Sequence, residues 1–231
     1  MPHETQPDRS ASDAQTSLDE IRHLQADRAH RDARRMFFVE GVRNVVHAIE
    51  SGFQIETLLY SEKLLIVPIA RRLVRDRCRT GTPTVHVTPE TFRQISTTHH
   101  ASGVGAIVSQ WWSPLHGASP RAGLCWVVLE AVRSEGNLGS LIRTSEAIGG
   151  AGFILVGPRL DPFDPAVVRA SMGALFRQTF IRTNGPSLWH WLRRHRCRVV
   201  SHSRNICTDR VLLISNLSSL FMIAKSLYRK T

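Results

Sequence analysis

Apolar and polar positions along the chain predict short strands alternating with amphipathic helices. Residues 37–40 (FFVE) form an apolar run of strand length. In GVRNVVHAIES, residues 41–51, Val42, Val45, Val46 and Ile49 recur at helical spacing, and Gly52 closes the helix. Residues 55–60 predict a strand. Residues 64–79 predict a helix with Leu65, Ile69 and Leu73 on an apolar face and Arg71, Arg72, Arg75 and Arg79 on a basic one. A strand follows over 84–87, and Thr88-Pro89 opens a helix with a cap and a proline at its first position. Residues 104–109 predict the last strand of this half. A charged helical pattern at 18–35 precedes these elements, so 18–110 is expected to form a small α/β domain. Residues 1–17 offer few apolar groups to a core and are expected to be a disordered tail.

The second half is patterned around residues 126–157, WVVLEAVRSEGNLGSLIRTSEAIGGAGFILVG. Residues 126–129 suit a strand buried on both faces, and Ser134 to Gly136 break it with turn chemistry. Leu138, Leu141, Ile142, Ser145 and Ile148 then recur at helical spacing until Gly149-Gly150. Residues 153–156 are the next strand. Strand, helix and strand make a βαβ unit of about 30 residues, which implies a parallel sheet. A short helix at 164–171, a strand within 176–183, a helix at 186–195 and a strand at 198–201 follow. Between the halves, WWSPLHGASPRAG (111–123) carries two prolines and two glycines and is expected to be a linker, with a second domain over 124–231.

Charge adds a partner to this picture. The chain of 231 residues has a formal net charge of +11, a pI near 10.8 and 42% hydrophobic residues. The basic groups are spread along the chain, which favours a folded basic surface facing an anionic partner. RNA suits this better than a membrane, since no run of 18 or more apolar residues exists. Arg34, Arg35, Arg43 and Arg93 fall near the ends of predicted elements and are candidate phosphate contacts. Cys78, Cys125, Cys197 and Cys207 share no metal-ligand spacing and read as thiols of a cytoplasmic protein. His99-His100 point apart on any regular element and lack a third ligand nearby, so no metal is expected.

The loop after the first strand of the βαβ unit presents Arg133, Glu135, Asn137 and, further along the helix, Arg143. Ligands of open α/β sheets bind at these strand ends. Here the sequence resembles the SpoU (TrmH-like) RNA ribose 2′-O-methyltransferases. The resemblance rests on Asn137-x-Gly139 with Arg143 six residues after the asparagine, and on Ser171-x-Gly173-Ala174 at the expected separation. The first half is similar to their L30e-like substrate-binding domain, through Glu40-Gly41, the helix after it, and Gly103-x-Gly105. The resemblance implies a Rossmann-like domain of the trefoil-knot (SPOUT) type behind an RNA-binding module. It also implies S-adenosylmethionine as cofactor, a homodimer, and Arg143 and Asn137 as catalytic residues.

The chain departs from the family pattern after residue 201. Residues 210–214 suit the strand of the second family motif, but Ser215-Asn216-Leu217 replaces its Gly-x-Glu, with Ser215 at the position of the motif glycine; alternatively Ser215-Asn216-Leu217 and the helix expected after it imitate the third family motif in scrambled order. Two of the three lysines, Lys225 and Lys230, lie in the last seven residues. This predicts a truncated or divergent end, an incomplete knot and weak cofactor binding, with the cofactor residues unassigned. Two functions therefore stand side by side: methyl transfer to an RNA 2′-hydroxyl, and RNA binding by a protein with an inactive methyltransferase domain.

Overall fold

The computed structural model describes residues 9–201 and 221–224. They divide into two compact units. The first comprises residues 1–110 with Phe163–Pro165, the second the remaining segments 111–162 and 166–231.

In the first unit, α1 (Arg9–Ala26) and α2 (Arg28–Arg34) precede β1 (Met36–Glu40), α3 (Val42–Glu50), β2 (Ile55–Tyr60), α4 (Pro68–Arg79), β3 (Thr84–His86), α5 (Pro89–Ile95) and β4 (Val104–Ser109). The helix α1 starts at Arg9 rather than Leu18, so part of the expected tail is helical. Its stripe Leu18, Ile21 and Leu24 is buried with Phe38, Leu59, Val87, Phe92, Ile95 and Ile107. The strands lie in the order β1-β4-β2-β3, with β4 antiparallel to both neighbours and β2 parallel to β3. The carboxyl ends of β1, β2 and β3 therefore gather at one edge. Backbone bonds tie that edge together: Gly41 N–H donates to Val104 O, Ser61 N–H to Gly103 O and Val87 N–H to Tyr60 O. Gly103 has φ +74°, and a Cβ there would lie 2.6 Å from Leu64 Cβ, so only glycine fits. Glu40 ends β1 and clamps the following loop by accepting from Ser96 Oγ at 2.5 Å, Thr97 N at 3.0 Å and Thr98 Oγ1 at 3.3 Å.

The helix α4 differs from its expected form. Pro68 takes the first turn, so Leu65 lies outside the helix. Ala70 and Val74 are its buried residues, while Ile69 is 57% exposed. The spacing of Leu65, Ile69 and Leu73 predicts one apolar face, but the proline start breaks it.

Arg31 is 3% exposed and sits inside this unit. Its guanidinium donates to Leu24 O at 2.7 Å and Gln25 O at 3.3 Å, and meets the Asp164 carboxylate at 3.4 Å. Phe163 packs against Phe37 with ring centroids 4.7 Å apart. Replacing Arg31 by methionine keeps the stem but removes the guanidinium from two carbonyls and from the Asp164 carboxylate. It is expected to cost about 2–3 kcal/mol of stability. Urea unfolding measures this, and a loss below about 0.5 kcal/mol would show that the guanidinium is not needed.

The second unit holds β5 (Cys125–Leu129), α6 (Glu135–Ala147), β6 (Gly152–Val156), α7 (Pro165–Ser171), β7 (Thr179–Thr183), α8 (Gly185–Arg194), β8 (Arg198–Ser201) and β9 (Phe221–Ala224). Pro165 belongs by its contacts to the first unit. Strand order is β7-β6-β5-β9-β8. The strands β5, β6 and β7 are parallel, as the βαβ pattern requires, but β9 pairs antiparallel with β5 and with β8. The sheet is thus mixed rather than wholly parallel. On one face Trp126, Val128, Ile154, Val156 and Ile181 pack with Leu188, Trp191 and Leu192 of α8. Residues 111–123 pack in this unit as well: Ser113 N–H donates to Phe180 O, Trp126 Nε1–H donates to Ser119 O, and Ala118 joins the core. Trp112 stacks under Arg182, whose guanidinium carbon lies 4.2 Å from the ring centroid. Burial pushes the thiols of Cys125 and Cys197 up, which suits packing rather than nucleophilic chemistry.

Candidate active site

The candidate site is built at the carboxyl end of β5, where the chain turns into α6. Ser134 caps the helix, its Oγ accepting from Asn137 N at 3.3 Å. Ser140 Oγ donates to Gly136 O at 2.9 Å and Thr144 Oγ1 to Ser140 O at 3.0 Å, so these hydroxyls are spent on the helix backbone. Leu138, Gly139, Ile142 and Ser145 are the buried side of α6. Ser145 Oγ donates to Gln178 Oε1 at 2.8 Å and fixes the far turn.

Asn137, Arg133, Glu135 and Arg143 are all exposed. Arg143 has no hydrogen bond or ion pair among the described residues. Six residues of helix advance about 600°, so Asn137 and Arg143 stand about 120° apart around α6. Arg143 instead shares a face with Gly139, one turn earlier, and helical side chains lean toward the preceding turn. Gly139 is where α6 meets α7: a Cβ there would come within 2.4 Å of Ala170 Cβ and 3.1 Å of Ser171 N. Helix contact thus brings Arg143 onto the side of α6 that faces the 170–173 segment.

That segment is conformationally unusual. Ser171 is fully buried and donates to Val168 O at 2.8 Å. Met172 follows with φ 51° and is 42% exposed, and Gly173 has φ +92°. A left-handed methionine costs about 1–2 kcal/mol and is retained where the surroundings hold it. The Ser-x-Gly-Ala run is therefore a sharp, strained turn beside the arginine-bearing helix.

Sequence reasoning passed over Glu130. It directly follows β5, and its Oε2 is buried with no hydrogen-bond partner among the described residues. A carboxylate oxygen shielded from water costs free energy unless a donor reaches it. The signal was present in the sequence: a charge placed at the very end of an apolar strand run.

The four candidate RNA arginines do not form one group. Arg34 and Arg35 precede β1 and Arg43 follows it, which separates them by a strand of five residues, roughly 17 Å. Arg34 Nε donates to Glu20 at 3.1 Å. Burial alone would raise the Glu20 carboxyl, but hydrogen bonds from Arg34 and His30 outweigh it and hold it below the usual range. Arg43 is exposed in the first turn of α3. Arg93 pairs with Glu90 at 3.5 Å and lies three residues before Ser96, whose hydroxyl donates to Glu40 at the end of β1. Arg43 and Arg93 thus belong to the edge where β1, β2 and β3 end. His99 and His100 are exposed there, and no group of three possible metal ligands occurs among the described residues. No helix among them is long and apolar enough to cross a membrane. Ser215, the Gly-x-Glu replacement and the strand expected at 210–214 lie outside the described residues.

Comparison with known proteins matches both units. Residues 17–106 match the MRM3-like substrate binding domain, and residues 125–212 match the SpoU rRNA methylase family. The chain is 31% identical over 162 residues to a 23S rRNA (uridine(2479)-2'-O)-methyltransferase of Streptomyces viridochromogenes, covering 69% of this chain and 55% of that protein. It is 26% identical over 151 residues to the 23S rRNA (guanosine(2553)-2'-O)-methyltransferase RlmP of Bacillus subtilis, covering 65% and 56%. The chain thus spans about half the length of these curated relatives. Among solved structures, the AdoMet-bound rRNA methyltransferase from Sinorhizobium meliloti is similar, with a TM-score of 0.69 and 34% identity over 78% of this chain and 66% of that one. The SpoU methyltransferase AviRb from Streptomyces viridochromogenes, in complex with AdoMet, follows with a TM-score of 0.67 and 29% identity over 78% and 67%. With both domain types in this order, and Asn137, Gly139 and Arg143 in place on α6, the chain belongs to the SpoU rRNA methylase family.

Proposed function

We propose that this protein transfers a methyl group from S-adenosylmethionine to a ribose 2′-hydroxyl of RNA, with ribosomal RNA as the substrate class. The observation that supports the reading is the close α6–α7 contact at Gly139, beside the left-handed Met172-Gly173 turn, with Arg143 one turn further along α6 and without a partner among the described residues. The second reading, an RNA-binding protein without transfer activity, rests on Ser215-Asn216-Leu217 in place of the Gly-x-Glu motif.

The segments to which the family resemblance assigns the cofactor pocket fall after residue 201. Among the described residues, the polar groups available are the Glu130 carboxylate, an acceptor with one shielded oxygen that has no partner there, and the backbone of the Met172-Gly173 turn. A carboxylate at a strand end fits a ribose hydroxyl, and Glu130 is our candidate for that contact. When bound, the cofactor supplies an activated methyl group.

The remaining work falls to the chain. It must hold the acceptor hydroxyl in line and ease loss of its proton. Arg143 is a poor base, because a guanidinium pKa lies above about 12. It serves instead as a fixed donor to the phosphate beside the target ribose and to the developing alkoxide. Asn137, at the start of α6, orients the ribose. A cytoplasmic home and a homodimer go with this reading.

The direct test uses the full chain, methyl-labelled S-adenosylmethionine and ribosomal RNA that has not been modified. Label recovered as a 2′-O-methyl nucleotide after nuclease digestion is the expected result. Calorimetry with the cofactor separates the two readings. No saturable cofactor binding, with RNA still retained, would replace the enzyme by the binding protein.

A further inference from the structure

The basic face of α4 was visible in the sequence but belongs to none of the four candidate RNA arginines. The structure sharpens it. Ala70 and Val74 are buried, with Leu73 and Arg77 half-buried beside them, which fixes the inward direction of the helix. At about 100° per residue, Arg72, Arg75 and Arg79 then lie along the opposite crest, one guanidinium per turn at intervals of about 5 Å. All three are exposed. Arg72 has only a loose ion pair, 3.8 Å to Asp76 with both groups in solvent. Arg75 and Arg79 have no partner among the described residues. Arg71 is off the crest, its Nε occupied by Leu65 O at 2.5 Å.

An apolar collar adjoins the start of this crest. Ile66 is 79% exposed, Val67 42% and Ile69 57%, all within four residues around the proline that begins α4. Exposed aliphatic side chains gathered this closely, next to unpaired positive charge, are unfavourable for a free surface and mark a contact site. A row of guanidiniums at one-turn spacing complements a phosphate backbone, and unstacked bases offer apolar faces.

We propose that α4 of the substrate-binding unit docks RNA, with Arg72, Arg75 and Arg79 on consecutive phosphates and Ile66, Val67 and Ile69 covering an unpaired base. The proposal rests on the reading of this protein as one that acts on RNA, and names where on the first unit the substrate is held. The RNA expected is a single-stranded loop or bulge flanked by a stem, since only an unstacked base can reach the collar.

Binding of a fluorescently labelled stem–loop RNA to the full chain, titrated from about 50 to about 200 mM salt, tests this. The triple variant Arg72→Ala, Arg75→Ala, Arg79→Ala leaves the buried side of α4 untouched and replaces arginine by the strongest helix former. It is expected to flatten the slope of log affinity against log salt by about two to three. A second variant, Ile66→Ser with Ile69→Ser, is expected to weaken binding about five-fold at every salt concentration with the slope unchanged. A charge-matched control, Arg22→Ala with Arg193→Ala and Arg194→Ala, is expected to change the slope by less than about one. Circular dichroism confirms that each variant is folded. Equal slope changes in the triple and its control would reduce the effect to overall charge and overturn the proposal. A triple variant that binds RNA normally but loses self-association or an acidic protein partner would assign the face to protein instead. If the unaltered chain shows no salt-dependent RNA binding, the RNA reading itself fails, and this proposal with it.

Discussion

An Arg143→Ala variant is expected to lose methyl transfer by about 10²–10³-fold, with RNA affinity and thermal stability close to those of the parent. The Arg143 side chain is exposed and makes no hydrogen bond or ion pair among the described residues, so it contributes nothing visible to folding. Removing it therefore costs only what it does for the substrate. It stands one turn after Gly139, on the side of α6 that meets the strained Ser171-Met172-Gly173 turn. There a guanidinium fork can hold a phosphate oxygen and the nascent alkoxide together, which a lysine cannot reproduce. Arg143→Lys should accordingly recover only part of the rate. Single-turnover kinetics with saturating cofactor and RNA measure the chemical step. Normal turnover by Arg143→Ala would remove the arginine from the mechanism. Loss of turnover that merely follows loss of RNA binding would make it a binding residue only.

Gly139→Val is expected to destabilise the second unit by about 2–3 kcal/mol and to abolish transfer activity. The first added carbon already comes 2.4 Å from Ala170 Cβ and 3.0 Å from the Ala170 carbonyl carbon, and backbone cannot yield as a flexible side chain would. The helices α6 and α7 must separate, which moves Arg143 and the 171–173 turn apart together. Gly136 is the internal comparison. It lies in the first turn of the same helix, and an added Cβ meets nothing nearer than Ser134 Oγ at 4.0 Å. Gly136→Ala should therefore be neutral or stabilise by about 0.5 kcal/mol, through a less disordered unfolded state and better helix propensity. Thermal unfolding of both variants decides the matter. A Gly139→Val protein as stable as Gly136→Ala would show that the close approach of the two helices is not required. In Asn-x-Gly, then, the glycine is set by packing, while the asparagine sits in solvent.

The sequence by itself determined the local elements. The strands at 55–60, 104–109 and 198–201 fall on the predicted residues, because β-strand patterning is written in adjacent positions. The βαβ unit was equally legible: an apolar run, a serine cap, a helical stripe and a double glycine each act within a few residues. Spacing along one helix also placed Asn137 and Arg143 on α6, both exposed as their polarity suggests.

Tertiary structure decided whatever depends on residues distant in the chain. The apolar face expected on α4 was Leu65, Ile69 and Leu73; the start at Pro68 and the packing of Ala70 and Val74 leave Ile69 facing solvent instead. Strand direction is not encoded in an apolar run, so the antiparallel seat of β9 between β5 and β8 could not be read from its four residues. The segment Phe163–Pro165 joins the first unit because Phe37 and Arg31, more than a hundred positions earlier, offer it a ring and a buried charge. The shielded oxygen of Glu130, the left-handed Met172 and the separation of Arg34 and Arg35 from Arg43 are likewise properties of assembled neighbours. Periodicity reports which residues want burial; the partner that buries them, and the charges left exposed afterwards, are settled only when distant segments meet.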